Sequence, residues 1–370
     1  MNLLISAGEA SGDQHGARLL RALRERLADI GAFGMGGPRL AAAGLDAVVR
    51  SDTMSVVGVI EVAEKLPRLL AALRRLRFEA RRRRPDAAVV IDFPDFHGLL
   101  ARRLHRDGVP LVYYVSPQVW AWRPGRARTI ARMARRIITL FPFEAEIYRK
   151  LGADAVCVGH PLVDDVSEGL AKPSPLPEKT RRRLVLLPGS RSGELSRHWP
   201  AMLGAARRLA RKHDLEVVAV RAPGLPDALF AGASEAGVRV VTEGLHPLLA
   251  SADLALVASG TATLEAALCG TPMVVVYRMT RSSWWIARAM VHVRWVSMVN
   301  LVAEEEVVPE LLQGDFTEER LAARAEALLG SPESLARMRA GLARVAAKIG
   351  PPGASGRAAD ALLQAVVGNP

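Results

Sequence analysis

Short apolar runs alternate with stretches of helical periodicity along most of this chain, the pattern of parallel sheets whose strands are joined by helices. In the first half, apolar runs predict strands at 2–7, 31–35, 87–92, 110–116, 136–141 and 154–158. Helical patterns there lie at 14–28, 59–84, 97–107, 125–134 and 143–151. A stretch at 170–180 with three prolines reads as an interdomain linker. Beyond it the alternation resumes, with strands at 183–188, 215–220, 238–242, 253–257 and 273–277 and helices at 194–212, 226–236, 246–250 and 261–269. The tail, 316–368, is almost wholly helical, broken at Gly330-Ser331-Pro332 and Gly350-Pro351-Pro352-Gly353. The fold class that follows is α/β: two Rossmann-like, doubly wound parallel-sheet domains facing a cleft. Ligands of such sheets sit beyond the carboxyl ends of strands, so the loops there are where chemistry is expected.

Composition narrows the functional classes. A chain of 370 residues, half of them apolar, suits two ordinary cores. The formal charge of +12 comes mainly from arginine. A solvated basic face would account for it; so would nucleic acid, a phosphorylated substrate or an anionic membrane surface. Aromatics are sparse and form no stacking motif, which places nucleic acid last. Cys157 and Cys269 sit in apolar segments and suggest neither a disulfide framework nor a metal site. The start, Met1 to Ser6, lacks a basic segment, and its apolar run ends at Gly8-Glu9, too short for a signal peptide. Arg or Glu interrupts every apolar run before membrane-spanning length. A cytoplasmic protein is the expectation.

Two Gly-rich turns follow predicted strands. Val185-Leu-Leu-Pro-Gly-Ser-Arg-Ser-Gly193 runs from a strand into a helical pattern near Glu194. Gly189 and Ser190 would offer backbone N–H groups at the positive end of a helix dipole, and the fork of Arg191 suits a diphosphate. The other turn, Gly8-Glu-Ala-Ser-Gly-Asp13, departs from dinucleotide spacing and carries Glu9 and Asp13, which would repel a diphosphate. A turn glycine with a capping Ser11 or Asp13 accounts for it equally. Ser259-Gly260-Thr261 forms a third strand–turn–helix junction, with main-chain and hydroxyl donors for phosphate. Glu265, one turn on, could reach a ribose diol or simply face solvent.

Chemistry in the first half centres on Ile91-Asp-Phe-Pro-Asp-Phe-His97. A carboxylate at a strand's carboxyl end can serve as general base toward a hydroxyl. Pro94 is expected to keep the helix from starting early and to hold the loop extended. Asp95 then suits the helix cap, leaving Asp92 as the better base, although the sequence does not separate the two. Tyr113 to Arg123 concentrates aromatics, with Ser116 and Trp120 as cleft candidates and core or rim packing as the alternative. A basic, partly apolar helix over 59–84, with Leu66, Leu69 and Leu70 among Arg68, Arg74, Arg75 and Arg81 to Arg84, fits an anionic bilayer as well as it fits a core.

With these residues in view, the chain resembles the lipid-A-disaccharide synthases, inverting glycosyltransferases of the GT-B fold. The likeness runs from Gly8–Asp13 to at least Leu312. It takes in Gly36-Gly37-Pro38, Met54–Gly58, Ile91–Phe96, Tyr114–Arg123, Phe141–Glu144, Val158–Pro161, Leu187–Arg191, Ala258–Ala262 and Val296–Asn300. Departures are His97, where relatives often carry Asn, and Met298-Val299, where they often carry Leu-Pro. The resemblance implies Asp92 as catalytic base, Arg191 as an essential diphosphate contact and Asn300 near the donor sugar nucleotide. Ser11, Asp95, Ser116 and Trp120 would line the acceptor side.

It further implies no cofactor and no metal. The substrates would be UDP-2,3-diacylglucosamine and 2,3-diacylglucosamine 1-phosphate (lipid X), with no nucleic-acid partner, and the protein would attach peripherally to the inner membrane. Residues 1–170 would form the acceptor and membrane-facing domain, 181–345 the UDP-sugar domain, and 346–370 a helix returning to the first domain. Monomer and domain-swapped homodimer both remain open. A sibling GT-B enzyme of UDP-N-acetylglucosamine, such as a peptidoglycan N-acetylglucosamine transferase or a 2-epimerase, is one alternative. A basic nucleic-acid-binding protein is another.

Overall fold

A computed structural model describes residues 1–51, 59–116, 125–280, 284–285 and 294–368. The chain divides into two compact units, Met1–Pro161 with Pro351–Pro370, and Leu162–Gly350. Each has its own parallel sheet, and each strand pair within a sheet is parallel.

In the first unit the elements are β1 (Asn2–Ala7), α1 (Ala10–Arg26), β2 (Gly31–Gly36), α2 (Pro38–Ala42), β3 (Asp46–Arg50), α3 (Val59–Arg83), β4 (Ala87–Ile91), α4 (Pro94–Arg106), β5 (Leu111–Tyr114), α5 (Gly125–Met133), β6 (Arg136–Thr139), α6 (Pro142–Arg149) and β7 (Ala155–Cys157). The strand order is β3-β2-β1-β4-β5-β6-β7. Because the order reverses between β1 and β4, the helices that follow these two strands cover opposite faces, and the loops at their carboxyl ends part to leave room for a ligand. Gly8-Glu9 leaves one of these strands and Asp92 the other. β4, Ala-Ala-Val-Val-Ile, is buried throughout, as an apolar run in a doubly covered parallel strand must be.

The second unit starts with α7 (Leu162–Leu170), followed by β8 (Arg182–Leu187), α8 (Ser192–Lys212), β9 (Leu215–Val220), β10 (Val238–Val241), α9 (Leu245–Ser251), β11 (Leu254–Ala258), α10 (Thr261–Leu268), β12 (Met273–Tyr277), α11 (Met298–Ala303), β13 (Glu310–Leu312), α12 (Glu318–Leu329) and α13 (Pro332–Ile349). Its order, β10-β9-β8-β11-β12-β13, reverses between β8 and β11. The Gly189 turn and the Ser259–Thr261 turn leave these two strands. The last helix, α14 (Ala354–Val367), belongs to the first unit and packs on α1. There Arg26 pairs with Asp360, and Arg136 Nη1 donates to the Ala361 carbonyl at 2.9 Å.

Several boundaries differ from the sequence reading. The chain changes unit at Pro161, not in the proline-rich stretch, because α7 packs on α9 and α10. Helix α1 starts at Ala10 rather than 14, with Gly12 and Gly16 on its buried face. Pro94 opens α4 instead of delaying it: its fixed φ and missing N–H suit the first helical position. Phe93 therefore occupies the cap position, Asp95 lies inside the first turn, and the loop before them is not extended. The stretch 226–236 holds only two short 3-10 turns, Asp227–Phe230 and Ser234–Ala236. In β3 only three apolar residues stand between Asp46 and Arg50, and β13 has only two after Glu310, so neither stands out as an apolar run.

Candidate active site

The β4 exit is a constrained loop. Asp92 and Phe93 both take left-handed backbone conformations, at φ 53° each. That conformation costs about 1–2 kcal/mol per non-glycine residue, so the surroundings must enforce it. Asp92 N–H donates to the Val115 carbonyl at 3.3 Å. The Phe93 ring stacks on Phe96 with centroids 5.4 Å apart and lies over Gly8, where a Cβ would come within 2.1 Å of the ring. Only glycine can leave β1 at that point. The glycine of this turn thus has a packing cause.

From α4, the imidazole of His97 reaches back: Nδ1 donates to the Asp92 carbonyl, and Nε2 lies 2.8 Å from Ser6 Oγ. The ring is fully buried, and burial lowers its pKa to about 4. The Asp92 carboxyl shifts the other way. Burial first, then the negative charge of Glu9, push its pKa up to about 6, while the Phe93 N–H holds it back. A carboxylate tuned in this way is still ionised near neutral pH and more basic than an exposed one. Asp95, by contrast, is exposed and pairs with Arg126. Of the two carboxylates, Asp92 has the environment of a base.

The other first-unit candidates separate. Asp13 is buried, and its carboxylate accepts from the N–H groups of Gly37 (2.7 Å), Leu40 (3.0 Å) and Arg39 (3.0 Å). It fixes the start of α2 and is not a cap of its own helix. Ser11 is exposed in the first turn of α1, and Ser116 is buried beyond β5. Trp120 and the 54–58 motif lie outside the described residues.

In the second unit, Gly189 adopts φ 124° as the chain leaves β8 and turns into α8. Arg191 is the cap residue of that helix, highly exposed, with Nη1 3.0 Å from Glu194 Oε1. The turn is braced from within: His198, buried on α8, donates from Nδ1 to the Pro188 carbonyl at 2.9 Å, and its Nε2 accepts from Arg278 N–H at 3.0 Å. Ser190 and Arg191 are thereby left exposed at the amino end of a long helix, where an anion is favoured.

At the β11 exit the donors are fewer than the sequence suggested. Ser259 spends its N–H on the Val276 carbonyl (2.9 Å) and its hydroxyl on the Val296 carbonyl (3.0 Å). It is thus a brace and not a phosphate donor; Gly260 and Thr261, both exposed, remain as the open part of the turn. Glu265 is mostly buried and pairs with His246 Nε2 at 3.1 Å, so it is not a free surface residue. Asn300 is a correction. It is fully buried, with Nδ2 donating to Val308 O and Glu310 Oε1 (2.8 Å each) and Oδ1 accepting from Val307 N (2.8 Å) and Val308 N (3.0 Å). Its whole amide capacity organises the Val296–Glu310 loop. Among the described residues, no cluster of three His, Cys, Asp or Glu side chains could hold a metal ion.

Sequence reasoning missed Ser6 and His198, read Glu9 only as a charge repelling a diphosphate, and noticed His97 only as a departure. The usable signal was a histidine placed one or two turns into a helix that follows a strand-exit loop. Replacing Asn300 with Ala leaves two or more buried backbone groups without partners, each worth about 1–3 kcal/mol. Urea unfolding should show a loss of that order, with the KM for donor substrate changed less than threefold in the folded fraction.

Comparisons with known proteins bear on the identity. A family model described as lipid-A-disaccharide synthetase matches residues 3–349. The lipid-A-disaccharide synthase of Myxococcus xanthus (strain DK1622) is 43% identical over 379 residues, covering 98% of this chain and 97% of that protein. Among solved structures, the calicheamicin glycosyltransferase CalG4 superposes with a TM-score of 0.65 at 16% identity, covering 99% of this chain and 98% of that one. A UDP-N-acetylglucosamine 2-epimerase gives 0.63 at 14% identity, covering 98% and 96%. These two share the fold, two Rossmann-like domains of the GT-B kind, while the full-length sequence match separates the alternatives that composition left open. The chain belongs to the lipid-A-disaccharide synthetase family.

Proposed function

We propose that this chain makes the lipid A disaccharide by direct displacement, with Asp92 as general base and Arg191 as the principal contact of the leaving diphosphate. Synthesis of that disaccharide follows from family membership; the residue roles are our reading of the two strand-exit loops. The acceptor is 2,3-diacylglucosamine 1-phosphate and the donor its UDP-linked counterpart. Asp92 takes the proton of the acceptor 6-hydroxyl as that oxygen attacks the anomeric carbon. The bond from that carbon to the UDP oxygen breaks on the opposite face. The products are a β(1→6) disaccharide 1-phosphate and UDP, with inversion.

The observation that carries this reading is the partly buried Asp92 carboxyl, held at the sheet's reversal point beside Glu9 with its pKa near 6. Developing negative charge on the diphosphate calls for preorganised donors. Arg191, the N–H groups following Gly189 at the start of α8, and the amides of Gly260 and Thr261 would supply them.

The base assignment fixes a pH dependence. Asp92 acts only when deprotonated, so kcat/KM should fall tenfold per pH unit below about 6. Asp92→Asn should lose about 10²–10⁴-fold in turnover, keep its KM values and lack that acid limb. Retained turnover would remove the base from the mechanism. Arg191→Ala should lose about 10²–10³-fold in turnover, on the scale of one lost oxyanion donor, and near-normal turnover would contradict its role.

The reading extends to a bilayer, since both substrates are acylated. No described helix is long and apolar enough to cross a membrane. On α3, however, Leu66, Leu70 and Phe78 are exposed at helical spacing, with exposed Arg68 and Arg74 among them. An amphipathic stripe of this kind lies on anionic lipid rather than spanning it, which makes the protein peripheral on the cytoplasmic side of the inner membrane. Two parts of the expectation change. Leu69 packs against the core instead of facing out, and much of the arginine run is already paired, Arg81 with Asp107 and Arg82 and Arg83 with the buried Glu79. A Leu66→Glu, Leu70→Glu variant should sediment at least tenfold less with anionic liposomes; undiminished binding would defeat this surface.

A further inference from the structure

The loop that carries Asp92 is braced by a side chain with no role in the chemistry so far. His97 is fully buried, yet both ring nitrogens are engaged. A carbonyl oxygen only accepts, so the Nδ1 bonded to Asp92 O carries the ring proton. In the neutral ring Nε2 is then an acceptor, and Ser6 Oγ–H, 2.8 Å away, donates to it. Ser6 lies on β1, beside Val90 of β4 in the register of the sheet. The imidazole therefore ties β1, through a fixed tautomer, to the carbonyl of the residue that leaves β4. Among the described residues, the other ties on this loop are the Val115 contact, the Phe93 ring over Gly8 and the backbone bond from His97 N–H to the Phe93 carbonyl at 3.0 Å.

We propose that His97, oriented by Ser6, is a positioning residue: it holds the Asp92 backbone in the conformation that presents the carboxylate to the acceptor hydroxyl. The proposal rests on the reading of Asp92 as the base. It goes beyond that reading in assigning the constraint to one hydrogen bond. His97 touches neither substrate; it acts through the Asp92 carbonyl. The charged group acting on the Asp92 carboxyl from a neighbouring element is Glu9 at the start of α1, and His97 itself stays neutral.

The two ring nitrogens can be replaced separately. An asparagine amide nitrogen falls near the position of Nδ1, so His97→Asn keeps the bond to the Asp92 carbonyl and loses Ser6. A glutamine amide reaches the position of Nε2, so His97→Gln keeps Ser6 and loses Asp92. Steady-state kinetics with both substrates across pH, alongside thermal unfolding, separates positioning from mere stability. We expect His97→Asn to retain turnover within about threefold and to keep the acid limb of wild type. His97→Gln should lose 10- to 100-fold in kcat with KM values within about twofold, and its acid limb should move down by a unit or more as Asp92 relaxes toward water. Ser6→Ala, which leaves the β4 loop intact but removes the partner of Nε2, should fall between them.

Equal turnover and equal acid limbs for the Asn and Gln variants would overturn the proposal, even if both melt at lower temperature. The two readings fail distinguishably. An active Asp92→Asn enzyme removes the base and this proposal with it, whereas an inactive Asp92→Asn beside indistinguishable His97 variants removes the positioning role alone.

Discussion

A carboxylate near the surface of a protein is a poor base at neutral pH, and the loop after β4 changes that by holding Asp92 where it is partly buried and next to another negative charge. Two successive non-glycine residues in left-handed conformation do not persist unaided. Here they are secured by a backbone bond to Val115, by the Phe93 ring seated over Gly8, and by the imidazole of His97. The Val115 bond extends the pairing of β4 with β5, and the other two depend on β1 lying on the other side of β4, so the topology of the first unit and the basicity of one side chain are a single arrangement.

The second unit solves a related problem with the same device. There too a helix follows a strand exit, and a buried histidine from that helix donates to the carbonyl at the end of the strand: His198 to Pro188, as His97 to Asp92. The chemistry of the exits differs because their residues differ. A glycine at φ 124° followed by Ser-Arg exposes donors at a helix start, which suits an anion. Asp-Phe-Pro withdraws an acid from water, which suits a proton acceptor. Near them, Ser259 and Asn300, which looked like ligand contacts, and Asp13, which looked like a cap, are occupied in fixing loops.

The alternation of apolar runs and helical patterns made the two parallel sheets legible, and the Gly-rich turns and the pair Asp92 and Asp95 marked the loops that matter. What the sequence hid was mostly a question of who satisfies whom. Pro94 can delay a helix or open one, and only the contacts of Phe93 decide which. Asn300, which the family resemblance puts near the donor, passes for a ligand contact until its four hydrogen bonds are seen to close on its own loop. Ser259 carries a hydroxyl that any phosphate could use, but Val296, distant in sequence, already takes it. His97 drew notice as an unusual residue, yet its function lies in two partners, 91 residues away at Ser6 and five away at Asp92.

The account stands on Asp92 being a carboxylate of raised basicity in the folded protein. A carbon-13 NMR titration of the aspartate carboxyl carbons, with the Asp92 signal identified by its absence in Asp92→Asn, measures that directly. A midpoint near 6 is the expected result; a midpoint near 4, the value of an ordinary exposed aspartate, would contradict it.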